Sequence, residues 1–164
     1  MTMTKRLAAL LGCSALSLIG ATAAAHADSI GRYECSVVGS ANPDPIGDRA
    51  GHGLVNYQFS CVGVEGLLKG AVYSATHISE WDGPQGTFLM AGGVHRVAGG
   101  LAVTQMAEGS GSLVMKDGKP VGTTSSGKAI FKLASGPLAS LSGKTVKFAT
   151  KSIGFNRFDL EFAE

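Results

Sequence analysis

Apolar and polar residues alternate along most of this chain, and a period of two is typical of strands with one buried face. The C-terminal segment is the clearest case, because Phe158, Leu160 and Phe162 fall on one face with charged residues between them. The same alternation places Phe131 and Leu133 on one face. The pattern predicts strands over 30–39, 54–62, 70–79, 86–96, 101–107, 111–116, 120–124, 127–134, 144–150 and 156–163, with a short helical turn over 135–142.

Glycine is the second feature of the pattern, because 24 glycines interrupt the chain at short intervals and disfavour long helices. Asp117-Gly118 favours a tight hairpin turn, since both positions tolerate a positive φ. Many short strands joined by hairpin turns would leave open edges that invite aggregation unless the sheet closes. We therefore predict an all-β protein with a single antiparallel β-barrel of about eight or more short strands, with a β-sandwich as the alternative.

The second half of the chain carries a resemblance to known barrels. From Gly99 to Phe162 it has a rhythm of Gly-Ser-Gly hairpins, SGKAIFKLASGPLASLSGKTVKF, and a closing strand RFDLEF. In this rhythm it resembles the small calycin-like and allene-oxide-cyclase-type β-barrels, eight-stranded cups of secreted bacterial proteins. The resemblance implies an apolar mouth that takes a small hydrophobic ligand, and it implies no catalytic residue. The lipocalin version of the cup is disfavoured, because Gly31-Arg32-Tyr33 stands where its first strand would have Gly-x-Trp.

The first 27 residues have the layout of a bacterial-type signal peptide. Lys5 and Arg6 precede an apolar run that ends in the small residues Ala25-His26-Ala27. We expect cleavage near Ala27, a β-barrel domain over 28–164, and a periplasmic or secreted location. The apolar run is too short and its side chains too small for a membrane span, so we expect no stable span after the signal is removed.

The three cysteines divide between the leader and the domain. Cys13 ends a lipoprotein-like box, Leu10-Leu11-Gly12-Cys13, but cleavage there would leave an apolar segment of only about six residues, shorter than a usual signal. Lipidation of Cys13 stays open as the alternative. Cys35 and Cys61 remain as a pair in an exported protein, which favours a disulfide between the first two strands over two free thiols.

The charge balance limits the kinds of partner. Loss of Lys5 and Arg6 from the 14 basic residues leaves a number equal to the 12 acidic ones, so the processed chain is neutral. A neutral chain without a basic run lacks the electrostatic footprint of a nucleic-acid-binding protein. We expect no nucleic acid partner and no cofactor, and the oligomeric state stays open.

Residues 122–128 read GTTSSGK and match the glycine and lysine spacing of a phosphate-binding P-loop. Ala129 follows where a Ser or Thr hydroxyl should hold magnesium, and the next residues indicate a strand instead of the required helix. Nucleophile-elbow, Cys-x-x-Cys, His-Glu-x-x-His and calcium-loop patterns do not occur in the sequence.

The stretch YSATHISEW, residues 73–81, concentrates the candidate chemistry. In a strand, Tyr73, His77 and Trp81 share one face while Glu80 points to the other, so His77 and Glu80 would not bind one metal ion. We expect no metal site there.

The next strand continues this inner face. A hairpin centred on 82–86 would bring Trp81 near Thr87 and His77 near Ala91, with Leu89 and His95 on the same face. The predicted ligand-binding residues are Tyr73, His77, Trp81, Leu89 and His95, although these side chains could also simply fill the core. His52, in the loop between the cysteines, is expected to be exposed.

Three functions fit this sequence. The first is an exported barrel that binds a small hydrophobic ligand in its interior. The second is an isomerase or cyclase in which a histidine or glutamate in the cavity moves a proton, with no catalytic residue identified. The third is an envelope or secreted interaction protein whose interior is filled by side chains.

Overall fold

A computed structural model describes residues 28–39 and 41–164, so the predicted signal peptide and Cys13 lie outside the described residues. The described chain is almost entirely β-structure. Its elements are β1 (Ser29–Val38), β2 (Asp44–Pro45), β3 (His52–Gly66), β4 (Val72–Asp82), β5 (Gln85–Val97), β6 (Gly100–Lys116), β7 (Lys119–Ala134), the 3-10 helix η1 (Gly136–Leu141), β8 (Thr145–Gly154) and β9 (Arg157–Ala163). No helix among them has the length and apolar character to span a membrane.

Eight of the strands form a closed antiparallel barrel. Each of the strands β3 to β8 pairs with the next one along the chain, and β1 closes the ring by pairing with both β9 and β3. The short strand β2 pairs only with the start of β3, outside the ring. This architecture confirms the predicted barrel over the sandwich, and it leaves no long open edge.

One end of the barrel is closed by leucines. Leu68, in the β3–β4 turn, is fully buried, and η1 adds the buried side chains of Leu138 and Leu141. The predicted helical turn over 135–142 is therefore confirmed, and its role is to cover this end. The other end carries the β4–β5, β6–β7 and β8–β9 turns and the loop that leads into β3. We call this second end the mouth.

Above the leucines, the interior is packed with rings that satisfy one another's polar atoms. The hydroxyl of Tyr33 hydrogen-bonds His95 Nδ1 at 2.7 Å, and His95 Nε2 lies 3.1 Å from Thr104 Oγ1. The Tyr73 ring stacks on the His95 ring with centroids 3.8 Å apart, and its hydroxyl reaches the same Thr104 oxygen at 2.9 Å. Burial lowers the pKa of His95 to about 3, so the imidazole is neutral.

The predicted disulfide is present between Cys35 and Cys61. The two residues are direct cross-strand partners on β1 and β3, and both are 1% exposed. The bridge therefore fastens the strand pair that closes the ring. It also encloses the loop that leads from β1 into β3.

A bulge corrects one predicted face. Leu133 was expected beside Phe131 on the inner face, yet it is 48% exposed. Val103 pairs with Leu133 while Thr104 pairs with Phe131, so Lys132 is an extra residue that rotates the strand. The β6–β7 hairpin is also longer than predicted, because 101–116 and 120–134 each run through as one strand around the confirmed Asp117-Gly118 turn.

Candidate functional site

A cavity of about 620 Å³ opens at the mouth of the barrel. Its wall is mostly apolar and aromatic, with Val55, Trp81, Phe88, Leu113 and Phe158 among its lining residues. A further space of about 60 Å³ lies among residues nearer the packed rings, and the two share part of their lining. This size and lining are typical of sites for small organic molecules.

Three side chains of β4 form a hydrogen-bonded row along one wall of the cavity. Trp81 Nε1 donates to Ser79 Oγ at 2.8 Å, and the same oxygen lies 2.8 Å from His77 Nε2. The indole N–H can only donate, so the Ser79 hydroxyl accepts from Trp81. The tautomer of His77 decides whether its Nε2 accepts from this hydroxyl or donates to it.

Packing keeps that imidazole neutral. The His77 ring lies between the rings of Tyr57 and Phe88, with centroid distances of 4.8 and 4.2 Å. This burial lowers the pKa of His77 to about 4. At neutral pH the side chain is therefore an uncharged hydrogen-bonding group in an apolar surrounding.

The indole of Trp81 is held by the neighbouring strand. Trp81 pairs with Gly86 on β5, and a Cβ atom at Gly86 would lie 2.5 Å from Trp81 Cε2. The missing side chain lets the indole lie close against the strand. Together with the Ser79 hydrogen bond, this contact fixes the ring at the cavity wall.

The structure divides four of the five predicted ligand-binding residues into three groups, and the fifth, Leu89, faces outward. His77 and Trp81 line the main cavity, and Tyr73 lines only the smaller, deeper space. His95 faces inward but lies in the packed layer, fully buried between Tyr33 and Thr104. Their roles in binding stay predictions.

The alternation along the chain predicts Leu89 on the inner face, and this prediction is wrong. Ile78 pairs with Met90 while Ser79 pairs with Phe88, so Leu89 is the extra residue of a bulge and is 54% exposed. Phe88 takes the inward position instead. The predicted neighbours of the hairpin agree in part, because His77 pairs with Ala91 as expected while Trp81 pairs with Gly86 instead of Thr87.

The expectation that His52 is exposed is wrong, because its side chain is only 8% exposed. Its Nδ1 lies 2.5 Å from an Asp48 carboxylate oxygen and its Nε2 lies 2.7 Å from Glu80 Oε1. These two hydrogen bonds raise the pKa of His52 above its usual value. Arg49 adds a second link, with its guanidinium 2.8 Å from Asp82. The His52 bridge to Glu80 and the Arg49–Asp82 ion pair tie the loop at the cavity mouth to β4.

Replacing His52 with alanine should loosen this loop. We expect faster tryptic cleavage after Arg49, because the loop loses its bridge from Asp48 to Glu80, while cleavage after Lys69 at the opposite end provides an internal control. In the wild type, both carboxylates are held by ring N–H groups only when the imidazole is charged. Protection at Arg49 should therefore be complete at low pH and fall as the pH rises through the raised pKa. Equal cleavage of both proteins at pH 6 would contradict this role of His52.

Aromatic and hydroxyl residues complete the lining that the sequence did not predict. Tyr57, Phe88 and Phe158 contribute rings. A group that we call the hydroxyl wall consists of Thr123, Ser125, Thr150 and Ser152 on β7 and β8. Thr123 and Ser125 belong to the segment with P-loop spacing, which here lies within β7 and forms no phosphate loop. The run of four hydroxyl residues, Thr123 to Ser126, was the sequence feature from which this part of the lining could have been predicted.

Charged groups are confined to the edge of the cavity. Arg49 and Arg157 line it at the mouth, and no carboxylate is among its described lining residues. Within residues 28–39 and 41–164, no three His, Cys, Asp or Glu side chains are grouped so as to hold a metal ion. The chemistry offered to a bound molecule is therefore aromatic contact, hydroxyl hydrogen bonds and a neutral imidazole.

No protein-family model, curated protein or solved structure matches this chain.

Proposed function

We propose that this protein is an exported β-barrel that binds a small, mostly apolar ligand in the cavity at its mouth. The observation that carries the proposal is the cavity of about 620 Å³ lined by aromatic and aliphatic side chains. An interior of this size within an otherwise packed barrel costs dispersion contacts, and a bound apolar molecule would restore them. The disulfide between Cys35 and Cys61 and the signal-like first 27 residues support export.

The binding residues in this proposal lie on the walls of the cavity. Trp81 and Phe88 supply flat apolar surface, and His77 supplies a hydrogen-bonding group that orients the ligand. Tyr73 contacts the deeper end of a ligand long enough to enter the second space. The two arginines at the mouth favour neutral or anionic ligands over cations.

The alternatives are weaker on specific observations. Glu80 lies on the outer side of β4, where it contacts His52, so an isomerase or cyclase would have to use His77 as its only acid–base residue on that strand. An interaction protein with a filled interior does not account for the cavity. We therefore favour the binding protein.

Fluorescence of the single tryptophan tests the proposal. Titration with a panel of lipids, porphyrins and phenolic compounds should give a saturable change in Trp81 emission for at least one class. A Trp81→Phe variant shows how much of the signal comes from this residue. Unchanged emission across the whole panel would contradict ligand binding in the cavity.

A further inference from the structure

The hydroxyl wall contains two pairs of hydroxyl groups at successive positions of β7 and β8. Ser125 Oγ and Thr150 Oγ1 are 2.5 Å apart, and Thr123 Oγ1 and Ser152 Oγ are 3.1 Å apart. Successive residues on one face of a strand are separated by about 7 Å. The cavity therefore presents two polar positions about 7 Å apart along one wall.

Each pair keeps a proton that the described protein does not use. Two hydroxyls carry two protons, and the bond within a pair consumes only one of them. Ser152 Oγ also accepts the backbone N–H of Thr123 at 2.9 Å, which consumes a lone pair but no proton. No described hydrogen bond takes the second proton of either pair. Both pairs therefore offer a donor to whatever occupies the cavity.

Flat aromatic surface faces these donors across the barrel. In the ring order of eight strands, β3 and β4 lie four places from β7 and β8, which is directly opposite. Tyr57 on β3 and the His77–Ser79–Trp81 row on β4 therefore stand across from the hydroxyl wall. The space between them has one wall of rings and one wall of hydroxyl donors.

We propose that the cavity selects flat, neutral aromatic molecules that carry carbonyl or ether oxygens along one edge, with those oxygens against the hydroxyl wall. This inference rests on the proposed function and specifies its ligand class. The rings of the ligand pack against Tyr57 and Trp81, and its oxygens accept the spare protons of the two hydroxyl pairs. A pure hydrocarbon would cover the same donors and exclude water without replacing the lost hydrogen bonds, which carries a free-energy penalty.

The position of charged residues supports a neutral ligand body. Arg49 and Arg157 are about half exposed at the edge of the cavity, and each contacts a carboxylate of the protein. His52, whose pKa is raised, also lines the cavity at the mouth. The walls from there to the deep end carry only uncharged groups, including the neutral His77. An ionic group on the ligand would thus remain at the mouth while its uncharged rings enter.

Fluorenone and fluorene test this inference, because they share one three-ring shape and differ in a single carbonyl. Their dissociation constants are measured by titrating the full protein and following Trp81 emission. Wild type should bind fluorenone about 3- to 10-fold more tightly, the ratio expected for one net hydrogen bond. Because one carbonyl can use either pair, the variant Thr123→Val/Ser125→Ala/Thr150→Val/Ser152→Ala, which lacks all four hydroxyls, should bring the ratio close to one while keeping its affinity for fluorene.

Matched controls separate the hydroxyl wall from general effects of substitution. Ser126→Ala/Thr145→Val removes the same groups from exposed positions on the same two strands and should keep the wild-type ratio. If the four-site variant loses fluorene binding as well, Ser125→Ala/Thr150→Val and Thr123→Val/Ser152→Ala are compared with wild type, and at least one of them should lower the ratio. Equal affinities in wild type, or an unchanged ratio in the variant that lacks all four hydroxyls, would overturn the inference and leave the proposed function standing. If only the double variants bind fluorene, an unchanged ratio in both of them would overturn it. If wild type binds neither fluorenone nor fluorene, the inference is overturned. The titration with lipids, porphyrins and phenolic compounds would then decide whether the cavity binds a ligand at all.

Discussion

Acidification from about pH 6.5 to pH 4 should destabilise the barrel by about 1.4 kcal/mol for each pH unit and each of two buried histidines. Burial holds the pKa of His77 at about 4 and that of His95 at about 3, whereas both groups have a pKa near 6.5 when the chain is unfolded. Between those values the unfolded chain binds protons that the folded chain does not. Stability is therefore fully present above about pH 6.5 and is lost as the pH falls towards the folded values.

Urea unfolding midpoints at pH 7, 6, 5 and 4.5 would measure this effect. Asp48, Glu65 and Asp82 also have lowered pKa values, from their contacts with His52, Arg32 and Arg49. Their contribution is lost only as the pH falls below the ordinary carboxylate range, so the range from 6.5 to 4.5 reports mainly on the histidines. A His77→Phe variant, whose ring suits the aromatic surroundings, should lose about half of the slope. A flat wild-type midpoint over this range would contradict the neutral, buried state of both rings.

Reduction of the disulfide should cost about 3 to 4 kcal/mol of folding free energy in the chain-entropy model. Cys35 and Cys61 are 26 positions apart, and their bond removes the freedom of that loop from the unfolded chain. The bond also holds β1 against β3, the pair that completes the ring. For a domain of this size, the loss corresponds to a fall in Tm on the order of 10 °C.

Thermal unfolding with and without dithiothreitol would show this loss, with free thiols titrated to verify reduction. The matched control is Cys35→Ala/Cys61→Ala, which should unfold near the temperature of the reduced wild type and should not respond to the reductant. A reduced wild type with an unchanged Tm would contradict the stabilising role of the bridge. The expected sensitivity is consistent with a protein that works in an oxidising compartment.

Alternation along the chain predicted the barrel and much of its inner face, because side-chain direction in a regular strand depends only on parity. Tyr73, His77 and Trp81 follow this rule on β4, and Phe158 and Leu160 follow it on β9. The disulfide was predictable because Cys35 and Cys61 are the only cysteines that follow the signal-like segment. The Asp117-Gly118 turn was predictable because it depends on local backbone conformation.

Parity failed where an extra residue enters a strand. Phe88, Leu89 and Met90 are three consecutive apolar residues, so the pattern does not reveal which one faces inward. The bulge at Leu89 is decided by pairing with β4, a contact that lies outside the local sequence. The outward position of Leu133 has the same cause.

Some glycines that the sequence pattern indicates as turns lie inside strands, where they make room for packing. Gly109 and Gly127 lie within β6 and β7, and a Cβ at either would come within about 3 Å of the Phe148 ring. These glycines make room for an aromatic side chain from β8, so the strands continue through them. The burial of His52 was not predicted from the local sequence, because its partner Glu80 is distant in sequence.

If the space at the mouth is the binding site, filling it with a protein side chain should abolish ligand binding. Gly111 lines the cavity, and a Cβ there would meet only ordinary contacts of 3.4 Å or more, so Gly111→Phe should fold and place a ring in the cavity. Leu89→Phe adds a ring at the exposed bulge as the matched control. With a ligand that wild type binds, we predict saturable Trp81 quenching in wild type and Leu89→Phe, and a loss of affinity of at least about 100-fold in Gly111→Phe. Equal affinities in a folded Gly111→Phe protein would contradict the claim.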